Sequence, residues 1–173
     1  MHVLVTYASR HHATAQMARA IAEVLQHPPD DLPAGTVEVR AVEDVDEIDN
    51  YDAVVLGSAV YMGRWLKSAR RFARDNESAL AGLSLWLFSS GPVGEPLAPA
   101  QEASDATVLA ESLGARGTRT FAGRLRTAEL GFGERSTVRL VHAAEGDYRD
   151  WDEVRSWASD IARTLGASQT VPR

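Results

Sequence analysis

The chain contains no cysteine. That absence excludes disulfides, thiolate nucleophiles, Cys-ligated zinc and Cys-bound iron–sulfur clusters, so redox chemistry would have to come from a bound organic cofactor or another metal. Positive charge is also short, with 18 Lys and Arg against 24 Asp and Glu and a formal net charge of −6. No basic tract interrupts this balance, which disfavours nonspecific attraction to nucleic-acid phosphates or anionic lipid and leaves no nucleic-acid partner expected. Long apolar runs are missing. The opening Met1-His2-Val3-Leu4-Val5 reads as a strand without a basic leader, so neither a signal peptide nor a transmembrane segment is expected, and the expected location is cytoplasmic. Several motifs are absent as well: the Walker lysine loop, the G-x-G-x-x-G fingerprint, a G-x-S-x-G elbow around Ser89, and any readable Ser–His–Asp set. His11 and His12 adjoin, but no Asp or Glu stands four residues beyond either, so no metal site is expected there.

What is present suits one domain. A chain of 173 residues with 45% hydrophobic content can bury a substantial core. The expected extent is residues 1–166, with 167–173 as a frayed tail. Val3 to Tyr7 reads as a strand, and Ala15, Ala18, Ile21, Ala22 and Leu25 recur at helical spacing over Thr14 to Leu25. After the breakers Pro28, Pro29, Pro33 and Gly35, Val37 to Val42 alternates as an edge strand does. The acidic run Glu43 to Asp49 reads as a solvated loop or short helix. Asp52 to Gly57 contains Ala53-Val54-Val55-Leu56, the pattern of a strand buried on both faces. Trp65 to Arg74 predicts a helix, Leu83 to Ser89 a strand, Ala103 to Leu113 a helix and Arg119 to Phe121 a short strand. Trp151 to Leu165 is a last amphipathic helix framed by Asp150 and Gly166.

Strands alternating with helices imply an α/β fold with a doubly wound parallel sheet, since parallel neighbours require long right-handed crossovers. The common order for five strands is 2-1-3-4-5, and ligands then bind beyond the carboxyl ends of the strands at the switch point. Three loops therefore carry the expectation. Ala8-Ser9-Arg10-His11-His12-Ala13-Thr14 places two hydroxyls and successive backbone N–H groups at a helix start, which suits a phosphate dianion; plain helix capping by Ser9 and Thr14 reads the same residues equally well. Gly57-Ser58-Ala59-Val60-Tyr61-Met62-Gly63-Arg64-Trp65 mixes small and aromatic residues, as a bed for a flat ring would, while Tyr61 and Trp65 equally suit ordinary packing. Ser89-Ser90-Gly91-Pro92-Val93-Gly94-Glu95-Pro96 is rich in backbone donors suited to a ring's polar edge. With the dinucleotide and triphosphate motifs missing, a mononucleotide fits best.

Four stretches carry a resemblance to a known family: Val3-Leu4-Val5-Thr6-Tyr7-Ala8-Ser9-Arg10 with Thr14, Tyr51 to Ser58, Ser89-Ser90-Gly91-Pro92, and Gly146-Asp147-Tyr148-Arg149-Asp150-Trp151. Through them the chain resembles the flavodoxin-like superfamily over nearly its whole length. Within it, the chain is similar to actinobacterial flavodoxin-domain proteins related to the quinone-dependent protoporphyrinogen oxidases. The resemblance implies a flavodoxin-like three-layer sandwich and FMN, with Ser9, Arg10, His11, His12, Ala13 and Thr14 around the phosphate. It implies Ser58, Ala59, Val60, Tyr61, Met62 and Gly63, and Ser89, Ser90, Gly91, Pro92, Val93 and Gly94, beside the isoalloxazine. The resemblance leaves a deazaflavin such as F420 open beside FMN, since its use in actinobacterial relatives keeps the same general fold.

Two departures stand out. His12 occupies a place where such loops usually have glycine, so a Cβ enters a strained turn. The segment from Leu125 through Gly131-Phe132-Gly133-Glu134-Arg135 to Val141-His142 is a plainer version of an insert that the oxidases associate with substrate and membrane. The leading expectation is an FMN oxidoreductase that moves electrons or hydride from a reduced organic substrate to a quinone or another acceptor. The others are a one-electron carrier docking on a redox partner through its acidic surface, and a cofactor-free interaction protein. The last helix leaves a homodimer open.

Overall fold

The computed structural model describes residues 1–29, 32–61, 63–91, 104–125 and 145–169. Its elements run in chain order as β1 (His2–Ala8), α1 (Ala13–Gln26), β2 (Thr36–Ala41), a single 3-10 turn (Val42–Asp44), β3 (Ala53–Tyr61), β4 (Arg64–Trp65), α2 (Lys67–Asp75), α3 (Glu77–Ala81), β5 (Ser84–Ser90), α4 (Ser104–Leu113), β6 (Gly117–Phe121), β7 (Arg124–Leu125), β8 (Gly146–Asp147) and α5 (Trp151–Gln169).

Five parallel strands form the main sheet in the order β2-β1-β3-β5-β6, which is the expected 2-1-3-4-5 winding once β4 is set aside. Strand alternation then sorts the side chains into two cores. Val3, Val5, Val37, Ala53, Val55, Trp86, Phe88 and Phe121 face α1 and α5, packing on Met17, Ile21, Val154, Ala158 and Ile161. Leu4, Val54, Leu56, Leu85 and Leu87 face the other way, onto Ala69 and Phe72 of α2, Leu80 of α3 and Ala106 and Leu113 of α4. The central strands β1, β3 and β5 are apolar on both faces because both faces are covered.

Two expectations need correction. The predicted helix from Trp65 starts later: Arg64–Trp65 turns back as β4, antiparallel to Val60 and Tyr61, and the helix begins at Lys67. A helical start is disfavoured there because Trp65 is drawn into the core, 2% exposed. Gly166 does not stop α5, which continues to Gln169. A Cβ on Gly166 would lie 3.1 Å from Leu32 Cδ2, so this glycine serves close packing rather than termination. The acidic run after β2 forms only the single 3-10 turn, as its solvated composition suggested.

The end of the sheet opposite the loops carries a polar network. Glu38 accepts from Tyr51 Oη at 3.1 Å and Arg40 Nε at 2.9 Å, and its Oε1 lies 3.0 Å from His2 Nε2. The hydrogen bond from Tyr51, helped by Arg40 and His2, holds the Glu38 carboxyl below its ordinary 4.5 against the opposing effect of burial. A depressed folded-state pKa contributes stability above the unfolded value and loses it as pH falls through both. Glu38→Gln should therefore lower stability at neutral pH, and its unfolding free energy should fall less steeply than that of the wild type from about pH 5 to pH 3. Urea titrations across that range measure the difference.

Candidate functional site at the carboxyl ends of the strands

Sheet register brings the three expected loops to one level. Ala8 pairs with Ser58, Ser58 with Ser89, and Ser89 with Thr120, a single row across the sheet. The chain leaves β1 at this row and β5 one residue beyond it, while β3 runs on to Tyr61, so the three loops start close to one level of the sheet. Two glycines serve this arrangement. Gly57 lies opposite Phe88, where an added Cβ would fall 2.1 Å from the ring. Gly91 donates its N–H to Phe121 O at 2.9 Å and stands at φ +133, a conformation that side chains rarely adopt.

The first loop enters α1 through His12, which stands at φ 59 and ψ −5, in the left-handed region. It is the non-glycine residue with positive φ among those described, so the loop keeps a glycine-like shape despite the Cβ. His12 makes no side-chain cap, and the leading N–H groups of a helix have no intrahelical acceptors. Thr14, in the first turn, is 1% exposed, and its Oγ1 has no hydrogen-bond partner. A buried hydroxyl without a partner costs roughly 1–3 kcal/mol. An anionic oxygen entering at the helix N-terminus would answer both the hydroxyl and the N–H groups. Two other buried polar atoms lack hydrogen bonds among the described residues: Thr6 Oγ1, midway along β1, and Arg70 Nε, 3.8 Å from Asp105 Oδ2. Alternation sends Thr6 to the α2–α4 side of the sheet, away from this helix start.

The loop touches the second loop through its side chains. Arg10 Cζ lies 5.1 Å from the centre of the Tyr61 ring, and the His11 ring meets Tyr61 edge-on at 6.5 Å. The second loop is more ordered than its composition suggested. Ser58, Ala59, Val60 and Tyr61 belong to β3 itself, and the chain turns back through Gly63 at φ +73 into β4. Ser58 and Ser89 are fully buried with their hydroxyls committed inside the protein. Ser58 Oγ accepts from Leu66 N at 3.0 Å, and Ser89 Oγ accepts from Trp65 Nε1 at 2.9 Å. Both serines face the α2–α4 layer and hold the β3–β4 hairpin, which leaves only their backbone groups for a ligand. Trp65 is likewise a packing residue, so of the two aromatics only Tyr61 stands at the mouth. Ser90 is 6% exposed on the opposite face. Met62, Pro92, Val93 and Gly94 lie outside the described residues, as does the segment after Leu125 through His142.

Sequence reasoning missed a group of residues beside the first loop. The short antiparallel ribbon β7–β8 pairs Arg124 with Asp147 and Leu125 with Gly146. From it Arg124 Nη2 donates to His11 O at 3.0 Å, and Arg149 Nη1 donates to Gln16 Oε1 at 2.6 Å. Asp147, held below its ordinary pKa chiefly by the Arg149 hydrogen bond, accepts from Arg149 Nε at 2.7 Å. Arg149 also stacks 4.4 Å over the Trp151 ring. The signal was present in Gly146-Asp147-Tyr148-Arg149-Asp150-Trp151, where an acid and an arginine two residues apart can pair in an extended turn.

Residues 4–152 match the flavodoxin domain family. The chain belongs to that family. Solved structures of low sequence identity share the flavodoxin fold. Rubredoxin oxygen:oxidoreductase from the anaerobe Desulfovibrio gigas superposes with a TM-score of 0.68 at 17% identity, over 98% of this chain but 37% of its own length. A flavodoxin from the domain Archaea gives 0.62 at 17% identity, covering 95% of this chain and 99% of its own. Flavodoxin 1 from Bacillus cereus gives 0.58 at 15% identity, covering 94% and 98%. No curated protein matches the chain. Membership of the flavodoxin family implies FMN as the cofactor, and the unanswered Thr14 hydroxyl at a helix N-terminus fits its phosphate. No helix among the described residues is long and apolar enough to cross a membrane.

His12 gives a first test of this flavodoxin loop. A left-handed non-glycine residue costs roughly 1–2 kcal/mol, whereas glycine raises unfolded-state entropy by about 0.4–1 kcal/mol. His12→Gly should leave stability unchanged or raise it by up to about 1 kcal/mol, with FMN affinity preserved or improved. Thermal unfolding and an FMN fluorescence titration measure both. A large loss of affinity would mean that the imidazole itself contacts the ligand.

Proposed function

We propose that this flavodoxin-domain chain is an FMN-dependent oxidoreductase that takes electrons or hydride from a reduced organic substrate of the protoporphyrinogen class and passes them to a quinone or another acceptor. The observation that carries the reading is the buried, unanswered Thr14 Oγ1 at the start of α1, beside the row Ala8–Ser58–Ser89 at the carboxyl-end side of the sheet. Ser9, Thr14 and the leading amides of α1 hold the phosphate, with Arg10, His11 and His12 supplying charge. Residues 58–63 and 89–94 flank the ring system. Bound FMN supplies the redox chemistry, accepting electrons singly or in pairs. The chain's own contribution is to position it and to limit water at its edge, where Tyr61 stands.

Enzyme is favoured over simple carrier by the ribbon β7–β8. Its strands bracket an additional segment and are hydrogen-bonded to the first loop through Arg124; a carrier that only docks and exchanges electrons has no need of such a device. Purified chain reconstituted with FMN should show a flavin spectrum and should oxidise porphyrinogens with quinone faster than free FMN does, titrating in a single two-electron step. Two well-separated one-electron steps without turnover would make it a carrier. A colourless protein that cannot be reconstituted would end both readings.

A further inference from the structure

We propose that Arg124 is a positioning residue for the phosphate loop, setting the orientation of the peptide between His11 and His12 and kept in place by Gln16, Arg149 and Asp147. The inference rests on reading residues 9–14 as the FMN phosphate site. Its basis is where Arg124 acts. The loop's one unfavourable backbone conformation among the described residues is at His12, and the carbonyl held by Arg124 Nη2 at 3.0 Å is that of His11, on the peptide entering His12.

In a trans peptide the C=O and N–H point in opposite directions. Drawing His11 O towards Arg124 therefore turns the His12 N–H away from the ribbon, and it fixes one of the two dihedral angles that set how the chain enters α1. A guanidinium suits this task because its planar fork addresses two acceptors at once. Arg124 Nη1 lies 3.4 Å from Gln16 Oε1, the atom that also accepts from Arg149 Nη1 at 2.6 Å. Gln16 belongs to the first turn of α1, and its backbone N–H donates to His12 O at 3.0 Å. Arg124 thus grips the loop on both sides of His12, at the carbonyl before it and at the helical turn after it.

Arg149 makes the grip rigid. Its side chain is only 4% exposed, is paired with Asp147 through two hydrogen bonds, and is stacked on Trp151. Asp147 is the strand partner of Arg124 in the ribbon. The segment that marks this chain's subfamily resemblance is therefore built onto the phosphate loop, and it governs the loop's shape from outside. A flavodoxin loop with glycine at the His12 position would adopt the left-handed turn at less cost. Here a side chain stands in the turn and an arginine holds it.

The test uses Arg124→Met and Arg124→Lys in the full chain, with FMN and riboflavin titrated separately and hydrogen exchange followed at the amides from His12 to Ala15 before any cofactor is added. Riboflavin lacks the phosphate, so it reports on the ring contacts alone. Arg124→Met should weaken FMN binding by about tenfold or more while changing riboflavin binding by less than about twofold. The loop amides should exchange faster in the cofactor-free protein, with β1 and β3 keeping their protection. Arg124→Lys should fall between wild type and Arg124→Met, because an ammonium reaches one of the two acceptors at a time.

Unchanged loop exchange in both variants would overturn the inference. So would equal losses of FMN and riboflavin affinity accompanied by faster exchange throughout the sheet, which would mark Arg124 as a general structural residue. If the wild type binds no FMN, the proposed function fails while the exchange measurement still decides whether Arg124 orders the loop.

Discussion

Gly57→Ala should destabilise the protein by about 3 kcal/mol or more, lowering the midpoint of thermal unfolding by roughly 6–12 °C. The added methyl would fall 2.1, 2.2 and 2.6 Å from Phe88 Cζ, Cε1 and Cε2. Those atoms are the far end of a side chain, which in an open site could swing aside. Phe88 cannot do so freely, because it is fully buried and its ring is packed against Phe121 and Trp157, each with its centroid 6.3 Å away. The strain must pass into the pairing of β3 with β5, one residue before the row Ala8–Ser58–Ser89 that aligns the loops. FMN affinity should therefore fall along with stability. Adding Phe88→Leu removes the clashing ring edge, so the double variant should be more stable than the sum of the two single changes by about 1 kcal/mol or more. Differential scanning calorimetry on the four proteins measures the coupling, and a Gly57→Ala protein as stable as wild type would show that the ring is not confined.

Thr14→Val should act in opposite directions on the empty and the loaded protein. Valine keeps the β-branched shape and removes the hydroxyl. Because that hydroxyl has no partner, the cofactor-free variant should be as stable as wild type or more so by up to about 1–3 kcal/mol, the cost of an unanswered buried polar group. A hydrogen bond to a charged group is worth about 1.5–3 kcal/mol, so FMN binding should weaken by roughly ten- to a hundredfold. A hydroxyl that served only to cap α1 would give the other pattern, a loss of stability without the cofactor. Thermal unfolding of the empty protein and an FMN titration separate the two roles.

Local pattern made part of the fold legible in the sequence. Ala53-Val54-Val55-Leu56 and Leu85-Trp86-Leu87-Phe88 read as buried strands because both of their faces are covered, and the α1 periodicity read as a helix because one face is. Given those elements, crossover handedness and the switch-point rule placed Ser9 to Thr14 beyond the carboxyl end of a central strand, where the loop between β1 and α1 lies, and the expected strain at His12 is visible as its positive φ. The parts that were missed depend on distant partners. Arg64–Trp65 pairs for only two residues, and nothing local shows that Trp65 will meet Ser89, 24 residues on. The ribbon β7–β8 joins residues about twenty positions apart, and Arg124 meets Gln16 across 108 positions. Side-chain direction was also hidden. Ser58 and Ser89 occupy the right level of the sheet, but strand alternation turns their hydroxyls inward. For a similar reason Gly166 read as a stop, although its missing side chain makes room for Leu32.

Residues 9–14 are proposed as the phosphate site for FMN, and the ratio of FMN to riboflavin affinity in the wild-type protein tests this directly. The two ligands share the ring and differ in the phosphate, so the ratio isolates what the loop contributes. The arrangement of Thr14 and the α1 amides predicts that FMN binds at least about tenfold more tightly than riboflavin, and that raising inorganic phosphate narrows the gap. Equal affinity for the two ligands, with no effect of inorganic phosphate, would contradict it.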